Sequence, residues 1–439
     1  MLLLFSIGAI LFFLSINKKK YIGIIDFGFL LSSFFIFYRP IFLNYCDNFI
    51  NKKIYLWDNG DYIYGTVFSA IAIILFYLSY NSSIKRVKIT DSFSLIALRE
   101  NPQLLAWFVK VNRIIVLLYL ALMVFVYGFI GASWGSGEQL SGAMSVRIPG
   151  FEFVWPFINF FLFLGVFLSV ILLYIKRRRI YLLQFLIIVG VALLLGRRGA
   201  LVSPILLSIF VVSIGRVRIS WRAIRHFKGR GLLFIGLLGF ILFFGKGLTN
   251  YLFETRAVNY AATEDDTPFA CVIVKKGHQE FDLFWPAVIA ESSLKNIAAI
   301  PGALLGNFIS HQERLDNFEN FYSSTDHLMM KYNGGAYRDL KFGISPNFHQ
   351  YYYYYFGILS VLIIIFLGKI GFIFEKRIIA CVRSAQIFKM YFLYIFWILL
   401  NSPWDTTLKY FLFNSFILFV FSWFVKIVVG KPKLNNCHH

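Results

Sequence analysis

Charged residues are scarce in this chain. Only 15% of its 439 residues are Asp, Glu, Lys or Arg, and 59% are hydrophobic. Soluble domains carry charge at about a quarter of positions, so this composition excludes intrinsic disorder and an ordinary soluble enzyme. Long uncharged runs recur from Met1 to Gly430. The sequence therefore predicts a polytopic membrane protein.

Cysteine is also rare, and the motifs of several chemistries are missing. The chain has four Cys, with no CxxC and no Cys/His spacing typical of a metal site. It has no Walker loop, GxGxxG, HExxH or GxSxG motif, which argues against nucleotide hydrolysis, zinc proteolysis and hydrolase catalysis. Paired acids at Asp58 and Asp61 and at 264–266 are interpreted as solvated turns. We therefore predict no metal and no cofactor.

Apolar runs dominate what is present. A helix that crosses a bilayer needs roughly 17 to 25 apolar residues. Eleven runs come near this length, so we predict about 11 transmembrane helices, within a range of 10–12. They form an all-α helical bundle that is a single membrane domain over 1–439. The runs are 1–17, 21–43, 62–80, 111–130, 151–175, 180–195, 199–214, 231–248, 348–367, 388–400 and 411–429.

The basic residues set the predicted orientation. Placing Lys18 to Lys20 in the cytoplasm makes the N-terminus periplasmic and the C-terminus cytoplasmic, and it leaves most of the 43 Lys and Arg on the inner side. The net charge of +21 then reflects topology and contact with anionic membrane lipid, and no nucleic-acid partner is predicted. Two inner stretches, 216–230 and 369–389, are predicted to be amphipathic surface helices. Cys46 and Cys271 are predicted to lie on the outer side of the membrane, and the sequence leaves open whether they form a disulfide.

One connection is much longer than the others. Alternation places the segment 249–348 outside the membrane, and loops of that length are usually functional or disordered. Its aromatic and apolar residues favour a folded, mostly helical subdomain. It also concentrates groups that suit catalysis or ligand binding, namely His311, Glu313, Arg314, Asp326 and His327.

The turn Gly196-Arg197-Arg198-Gly199-Ala200-Leu201 lies between two apolar runs with almost no loop. Two guanidinium groups at the mouth of a helical hairpin either snorkel to the headgroups or meet an anion. On the outer surface, the two forks can grip a diphosphate bidentately. The alternative is that both arginines only anchor the hairpin at the headgroups.

This turn resembles the G-S-R-G-A-L type turn of O-antigen polymerase and ligase families, with Arg197 in place of the usual small residue. The residues Gly343-Ile344-Ser345-Pro346, followed by Tyr354-Tyr355-Phe356-Gly357-Ile358, are similar to the "G-x-S-x-P … Y-x-x-F-G" exit of oligosaccharide repeat-unit polymerases of the Wzy type. Two features depart from that pattern. No Arg is followed by ten residues and then Gly, and His349-Gln350 replaces an acidic residue before the tyrosines.

The resemblance implies a glycosyltransferase with a GT-C-like membrane fold in the bacterial inner membrane. Such an enzyme polymerises undecaprenyl-diphosphate-linked repeat units into O-antigen or capsular polysaccharide at the periplasmic face, without metal, and works with a chain-length regulator protein as a possible partner. An O-antigen ligase-type transferase is the nearest alternative. A lipid-linked oligosaccharide flippase or other transporter is the non-enzyme alternative, although its expected charged cavity and short loops do not match this sequence.

The candidate site residues follow from that chemistry. A lipid diphosphate leaving group calls for fixed cations, and the acceptor hydroxyl calls for a base. For the cations we propose Arg197, Arg198, Arg256, Arg314 and Arg338; for the base, His349, His311, His327 and Asp339, with Asp326-His327 and Arg338-Asp339 as rival acid/base pairs. Tyr352 and Tyr355 are candidates for sugar stacking, although an interfacial aromatic belt is favoured for most of Tyr351 to Tyr355. The alternative for each histidine is a structural role, and the alternative for each arginine of the long loop is a solvated charge.

Overall fold

The computed structural model describes residues 2–19, 21, 23–33, 59–84, 101–126, 154–194, 198–213, 285–306, 320, 323–333, 348–383 and 386–430. Within these ranges every regular element is helical, which confirms the all-α prediction. The predicted span 231–248, the predicted surface helix 216–230 and the outer cysteines Cys46 and Cys271 lie outside the described residues.

The described part of the chain forms α-helices joined in places by short 3-10 turns. The α-helices are α1 (Leu2–Lys19), α2 (Ile24–Ser33), α3 (Asn59–Ser83), α4 (Pro102–Val124), α5 (Val154–Lys176), α6 (Arg179–Leu194), α7 (Arg198–Ser213), α8 (Trp285–Glu291), α9 (Ile300–Gly306), α10 (Ser324–Asn333), α11 (Phe348–Phe356), α12 (Ser360–Arg383), α13 (Ile387–Leu400) and α14 (Trp404–Val428). The 3-10 turns are Leu294–Ala299 and Gly357–Leu359.

Five helical stretches among the described residues are long and apolar enough to cross a membrane. They are Ile63–Ser83, Pro102–Val124, Pro156–Lys176, Phe348–Val382 and Thr407–Val428. Shorter apolar helices include Arg179–Ala192, Ser203–Val212 and Ile387–Leu400. These stretches coincide with predicted apolar runs and support a helical membrane protein. The count of eleven spans and the GT-C-like arrangement stay predictions.

The chain divides into two compact units. The first contains Met1–Lys18, Ile25–Val87 and Asp266–Leu412. Its centre is the close packing of α3 against α12. A Cβ atom added at Gly368 would lie 2.2 Å from the carbonyl oxygen of Phe76, so only glycine allows this approach. Nearby, the Ser79 hydroxyl donates to the Ile365 carbonyl at 2.7 Å.

The second unit contains Lys19–Ile24, Lys88–Asp265 and Phe413–His439. Here α5 packs against α4, α6 and α7, and a polar link inside this apolar bundle joins three helices. Asn112 donates to Gln184 Oε1 at 2.9 Å and accepts from the Ser169 hydroxyl at 3.4 Å. The link satisfies polar groups that would be costly to leave unpaired in an apolar interior.

Helix α4 begins earlier than its apolar run predicted. The run started at 111, whereas the helix starts at Pro102. The Asn101 side chain accepts a hydrogen bond from the Leu104 N–H at 3.0 Å. Pro102 suits the first helical position because it has no backbone N–H that would be left without a partner there. Lys110 lies just before the predicted run and Arg113 lies inside it, and both side chains are exposed without interrupting the helix.

The predicted span 348–367 lies within the apolar helical stretch Phe348–Val382, but the prediction of a separate surface helix from 369 is wrong. The helix breaks at Gly357, whose φ is 54°, and then continues as one helix to Arg383. Phe372 and Glu375 are buried in this second part, so residues beyond 369 belong to the packed core of the first unit.

Asp26, in the first turn of α2, is an acidic residue inside the predicted apolar run 21–43. The residue is fully buried. Its carboxylate accepts hydrogen bonds from the Ser15 hydroxyl and the Tyr77 hydroxyl. Glu375 is held in a similar way, by the Tyr80 hydroxyl at 2.6 Å and the backbone N–H of Ile25 at 3.1 Å. Hydroxyl and amide donors therefore replace water around both carboxylates.

Candidate functional site

The five consecutive tyrosines of α11 are all buried. Their exposures range from 0% at Tyr351 to 8% at Tyr353. This excludes an interfacial belt, because belt residues present their rings to headgroups. Tyr352 donates to the carbonyl of Leu400 at 2.9 Å, and Tyr355 donates to Asp405 Oδ2 at 2.9 Å. Their hydroxyls are thus used inside the protein, and neither ring offers an open face for sugar stacking in this conformation.

Tyr354 connects α11 to the large segment 249–348. Its hydroxyl oxygen lies 2.6 Å from Nδ1 of His327, which is on the first turn of α10. On the other side of the imidazole, Nε2 lies 3.4 Å from Oε2 of Glu291, the last residue of α8. The side chains of His327 and Glu291 are 18% and 24% exposed, so this chain of groups runs from a buried hydroxyl to solvent.

The backbone of Tyr354 is held by the same segment. Its carbonyl oxygen accepts from the Ser293 N–H at 3.2 Å and from Asn296 Nδ2 at 3.1 Å. Asn296 also donates to the carbonyl of Glu291 at 2.8 Å. Carbonyls in the last turn of a helix lack partners within it, and the break at Gly357 leaves Tyr354 in that position. Residues 291–296 therefore supply the missing donors and fix Glu291 beside Tyr354.

Two carboxylates fix the start of α10. Asp326 Oδ2 accepts from the backbone N–H of Ser323 at 3.1 Å and from its hydroxyl at 2.7 Å, while Ser323 Oγ accepts from the Asp326 N–H. Asp405 Oδ2 accepts from the Ser324 N–H at 2.6 Å. Acidic side chains at a helix N-terminus accept hydrogen bonds from N–H groups that have no partner within the helix. They place His327 on a fixed turn, and the carboxylate facing its Nε2 is that of Glu291.

The burial of Asp405 affects its protonation. Asp405 lies two residues before the apolar stretch Thr407–Val428 and is fully buried. Desolvation raises the pKa of this carboxyl above its ordinary value of 3.8, and the neighbouring Asp326 raises it further, against hydrogen bonds from Ser324 and Tyr355 that lower it. The neutral form is therefore favoured over a wider pH range than in an exposed aspartate.

His349 lies away from this chain. It is 3% exposed, and neither ring nitrogen has a hydrogen-bond partner among the residues that the structure describes. Its ring stacks on Trp285 at a centroid distance of 6.0 Å and meets Phe348 edge-on at 5.3 Å. Among the two described histidines of the predicted site, only His327 therefore has both polar partners and access to solvent.

The geometry assigns a different role to each member of the Glu291, His327 and Tyr354 chain. In the tautomer with its proton on Nε2, His327 faces Glu291 with this N–H and can accept a hydrogen bond from the Tyr354 hydroxyl at Nδ1. Glu291 is then the solvent-facing group with proton-accepting capacity. His327 orients the carboxylate, and Tyr354 fixes the tautomer of His327. Such an arrangement suits proton abstraction from an approaching hydroxyl.

Several predicted site residues lie outside the described residues. They are His311, Asp339, Arg197, Arg256, Arg314 and Arg338. Arg198 is the first residue of α7, so the turn predicted between two apolar helices leads directly into a helix start. In the described part of the chain, no group of three or more His, Cys, Asp and Glu residues is arranged to hold a metal ion.

The sequence interpretation missed Glu291, Ser293, Asn296 and Asp405. Glu291 is 36 positions before His327 in the printed sequence, and no local motif joins the two. The signal that was available is the run Glu291-Ser292-Ser293, a polar interruption between two apolar stretches of the segment 249–348.

No family model matches the chain, and neither a curated protein nor a solved structure matches it.

Proposed function

We propose that this chain is a membrane glycosyltransferase that polymerises undecaprenyl-diphosphate-linked repeat units at the periplasmic face of the inner membrane. The observation that carries the proposal is the chain of Glu291, His327 and Tyr354 at the end of an apolar membrane helix. A proton-accepting carboxylate that an imidazole and a phenol orient is suited to activate a sugar hydroxyl.

The position of this site favours a lipid-linked substrate. Immediately after α11, Ile358 and Leu359 are 68% and 53% exposed, and Leu362 and Phe366 continue this apolar surface along α12. In a membrane such a surface faces acyl chains. A substrate with a polar glycan head and a prenyl tail can therefore approach Glu291 while its tail stays in the apolar phase.

The proposed reaction is a direct displacement. The hydroxyl of the acceptor glycan attacks the anomeric carbon of the donor while Glu291 accepts its proton. The anomeric C–O bond breaks, and the lipid diphosphate leaves with the electron pair. Cations stabilise this developing charge without a metal. We propose Arg197, Arg198, Arg256, Arg314 and Arg338 for that role.

Deletion of the gene and a gel of the surface polysaccharide test the proposed function. A polymerase predicts loss of long chains with a single repeat unit still attached. Accumulation of unligated polymer would instead identify the ligase-type transferase, and loss of all outer-face glycan would identify a flippase. Re-expression of the wild-type chain must restore the long chains.

The cation clamp has its own test. Arg198→Ala, expressed at the wild-type level in the deletion strain, is expected to leave only single repeat units on the polysaccharide gel. Long chains at normal yield would exclude Arg198 from the clamp.

A further inference from the structure

Trp285, the first residue of α8, fits into a notch on the surface of α3. The notch is formed by Gly65, which has no side chain. A Cβ atom added at Gly65 would lie 2.1 Å from Cγ and 2.4 Å from Cδ2 of the indole, far inside van der Waals contact. Trp285 is fully buried although it belongs to the segment predicted to lie outside the membrane. Any residue other than glycine at 65 must displace the indole.

A polar contact fixes the indole in the notch. Its Nε1–H donates to the Ser69 hydroxyl at 2.9 Å, and that hydroxyl donates to the Gly65 carbonyl at 2.9 Å. Phe68 and Tyr353 meet the indole edge-on at 5.5 and 5.4 Å. A buried tryptophan needs a partner for its N–H, so this set of contacts specifies the orientation as well as the depth of the ring.

Helix α8 has seven residues, with Trp285 at one end and Glu291 at the other. A helix this short is not stable in water alone, so tertiary contacts set its position. The rise of about 1.5 Å per residue separates the two ends by about 9 Å. A shift of the indole is therefore transmitted to Glu291, whose contact with His327 is already long at 3.4 Å.

We infer that Gly65, Ser69 and Trp285 are positioning residues that hold the Glu291 carboxylate against His327. The inference rests on the proposed function and adds to it the means by which a membrane helix aligns a group from the external segment. Gly65 and Ser69 touch none of the reacting groups. Their effect on the reaction passes through Trp285 and the axis of α8.

Gly65→Ala tests the inference, with Gly190→Ala as the matched control. Both changes add one methyl group to an apolar helix, but no atom of the described residues lies within 4 Å of the position of the added atom at Gly190. Membranes from cells with each variant are supplied with the lipid fraction of the deletion strain, and the rate of polymer formation is measured. We expect about a hundredfold loss for Gly65→Ala, since misplacement by about 1 Å has that effect, with an unchanged KM for the lipid fraction. Gly190→Ala should keep the wild-type rate.

A double-mutant comparison separates positioning from a general loss of structure. In a Glu291→Gln background, Gly65→Ala should cause little further loss, because the group that it misplaces no longer functions. Losses that multiply would overturn the inference. Trp285→Leu combined with Gly65→Ala should recover part of the rate, because the smaller side chain leaves room for the added methyl group.

The outcomes distinguish this inference from the proposed function. A wild-type rate in Glu291→Gln contradicts the proposed role of the carboxylate itself. A slow Glu291→Gln with a Gly65→Ala rate equal to that of Gly190→Ala contradicts only the positioning role. If Gly65→Ala protein cannot be recovered from the membrane, Ser69→Ala decides, since it removes one hydroxyl. It should lower the rate by about two- to tenfold, the equivalent of one hydrogen bond, and a wild-type rate would overturn the inference.

Discussion

The Tyr354 hydroxyl oxygen lies 2.6 Å from Nδ1 of His327, so a phenol in the apolar core and an imidazole in the segment 249–348 form one hydrogen-bonded unit. Tyr354 itself is 1% exposed. Its hydroxyl therefore has no route to bulk water, and its effect on any substrate passes through His327. The imidazole in turn touches Glu291, which reaches solvent. The buried end of this chain is the Tyr354 hydroxyl, and the exposed end is the Glu291 carboxylate.

Tyr354→Phe should slow polymer formation without preventing it. The change removes only the hydroxyl that fixes the tautomer of His327, and the loss of one such hydrogen bond corresponds to about a tenfold change. Tyr352→Phe is the matched control, because the Tyr352 hydroxyl donates to the Leu400 carbonyl and not to the site. The rates in membranes supplied with donor lipid are compared at equal protein level. Equal losses in the two variants would assign Tyr354 a purely structural role.

Glu291→Gln should have a much larger effect than Tyr354→Phe. The amide keeps the shape of the side chain but cannot accept the proton of an acceptor hydroxyl, and a general base contributes about 10²- to 10⁴-fold. His327→Gln is expected to fall between the two variants. Polymer ladders and initial rates measure all three. A ranking in which His327→Gln is slowest would make His327, and not Glu291, the group that accepts the proton.

Gly368→Ala should destabilise the first unit. The added Cβ would lie 2.2 Å from a backbone oxygen of α3, and backbone atoms cannot give way as a flexible side chain can. Overpacking of this kind typically costs about 1–3 kcal/mol. Gly28→Ala is the control, since within the described ranges no atom lies within 4 Å of the position of its added atom. Thermal unfolding in detergent should show a lower Tm for Gly368→Ala alone, and equal Tm values would contradict the close packing of α3 and α12.

Much of the helical framework follows from the sequence, because membrane helices need long apolar runs that composition reveals directly. The ends of the helices were harder to predict from the sequence. At α4 the cap Asn101-Pro102 is a readable start signal, yet Lys110 and Arg113 hid the continuity of the helix from an apolar-run criterion. The break at Gly357 was hidden for the opposite reason, since the residues on both sides are apolar or aromatic.

The site was only partly predictable. His327 was among the candidates because its residue type suits proton transfer, but residue type alone ranked it equally with His349. The two histidines differ in their tertiary contacts. Trp285 stacks on the ring of His349, whereas Glu291 and Tyr354 contact the ring nitrogens of His327. The tyrosine run was ambiguous for a similar reason. Five consecutive tyrosines face every side of a helix, so periodicity cannot separate an interfacial belt from a buried contact.

The orientation of the external segment can be tested at Lys295. This residue is exposed and lies in the 3-10 turn Leu294–Ala299, next to the site. A cysteine introduced at Ser323 would not serve, because that position is buried and would not react from either side of the membrane. In a background without the native cysteines, Lys295→Cys should react with a membrane-impermeant maleimide in intact spheroplasts. Gln386→Cys, exposed between α12 and α13, should react only after lysis. The reverse pattern would invert the topology on which the proposed periplasmic location of the site depends.

Asp405→Asn should change how stability depends on pH. Burial raises the pKa of the folded Asp405 carboxyl above its ordinary value of 3.8, so the folded chain keeps this proton at pH values where the unfolded chain has released it. The stability that comes from the neutral form is complete below the unfolded value and is lost as the pH rises towards the folded value. The Tm of the wild type should therefore fall as the pH rises through this window.

Asparagine cannot ionise and still offers an oxygen to the Ser324 N–H, so the variant should lose less stability over the same window, as measured by thermal unfolding in detergent. A variant whose Tm falls as steeply as that of the wild type would show that Asp405 is already ionised in the folded protein.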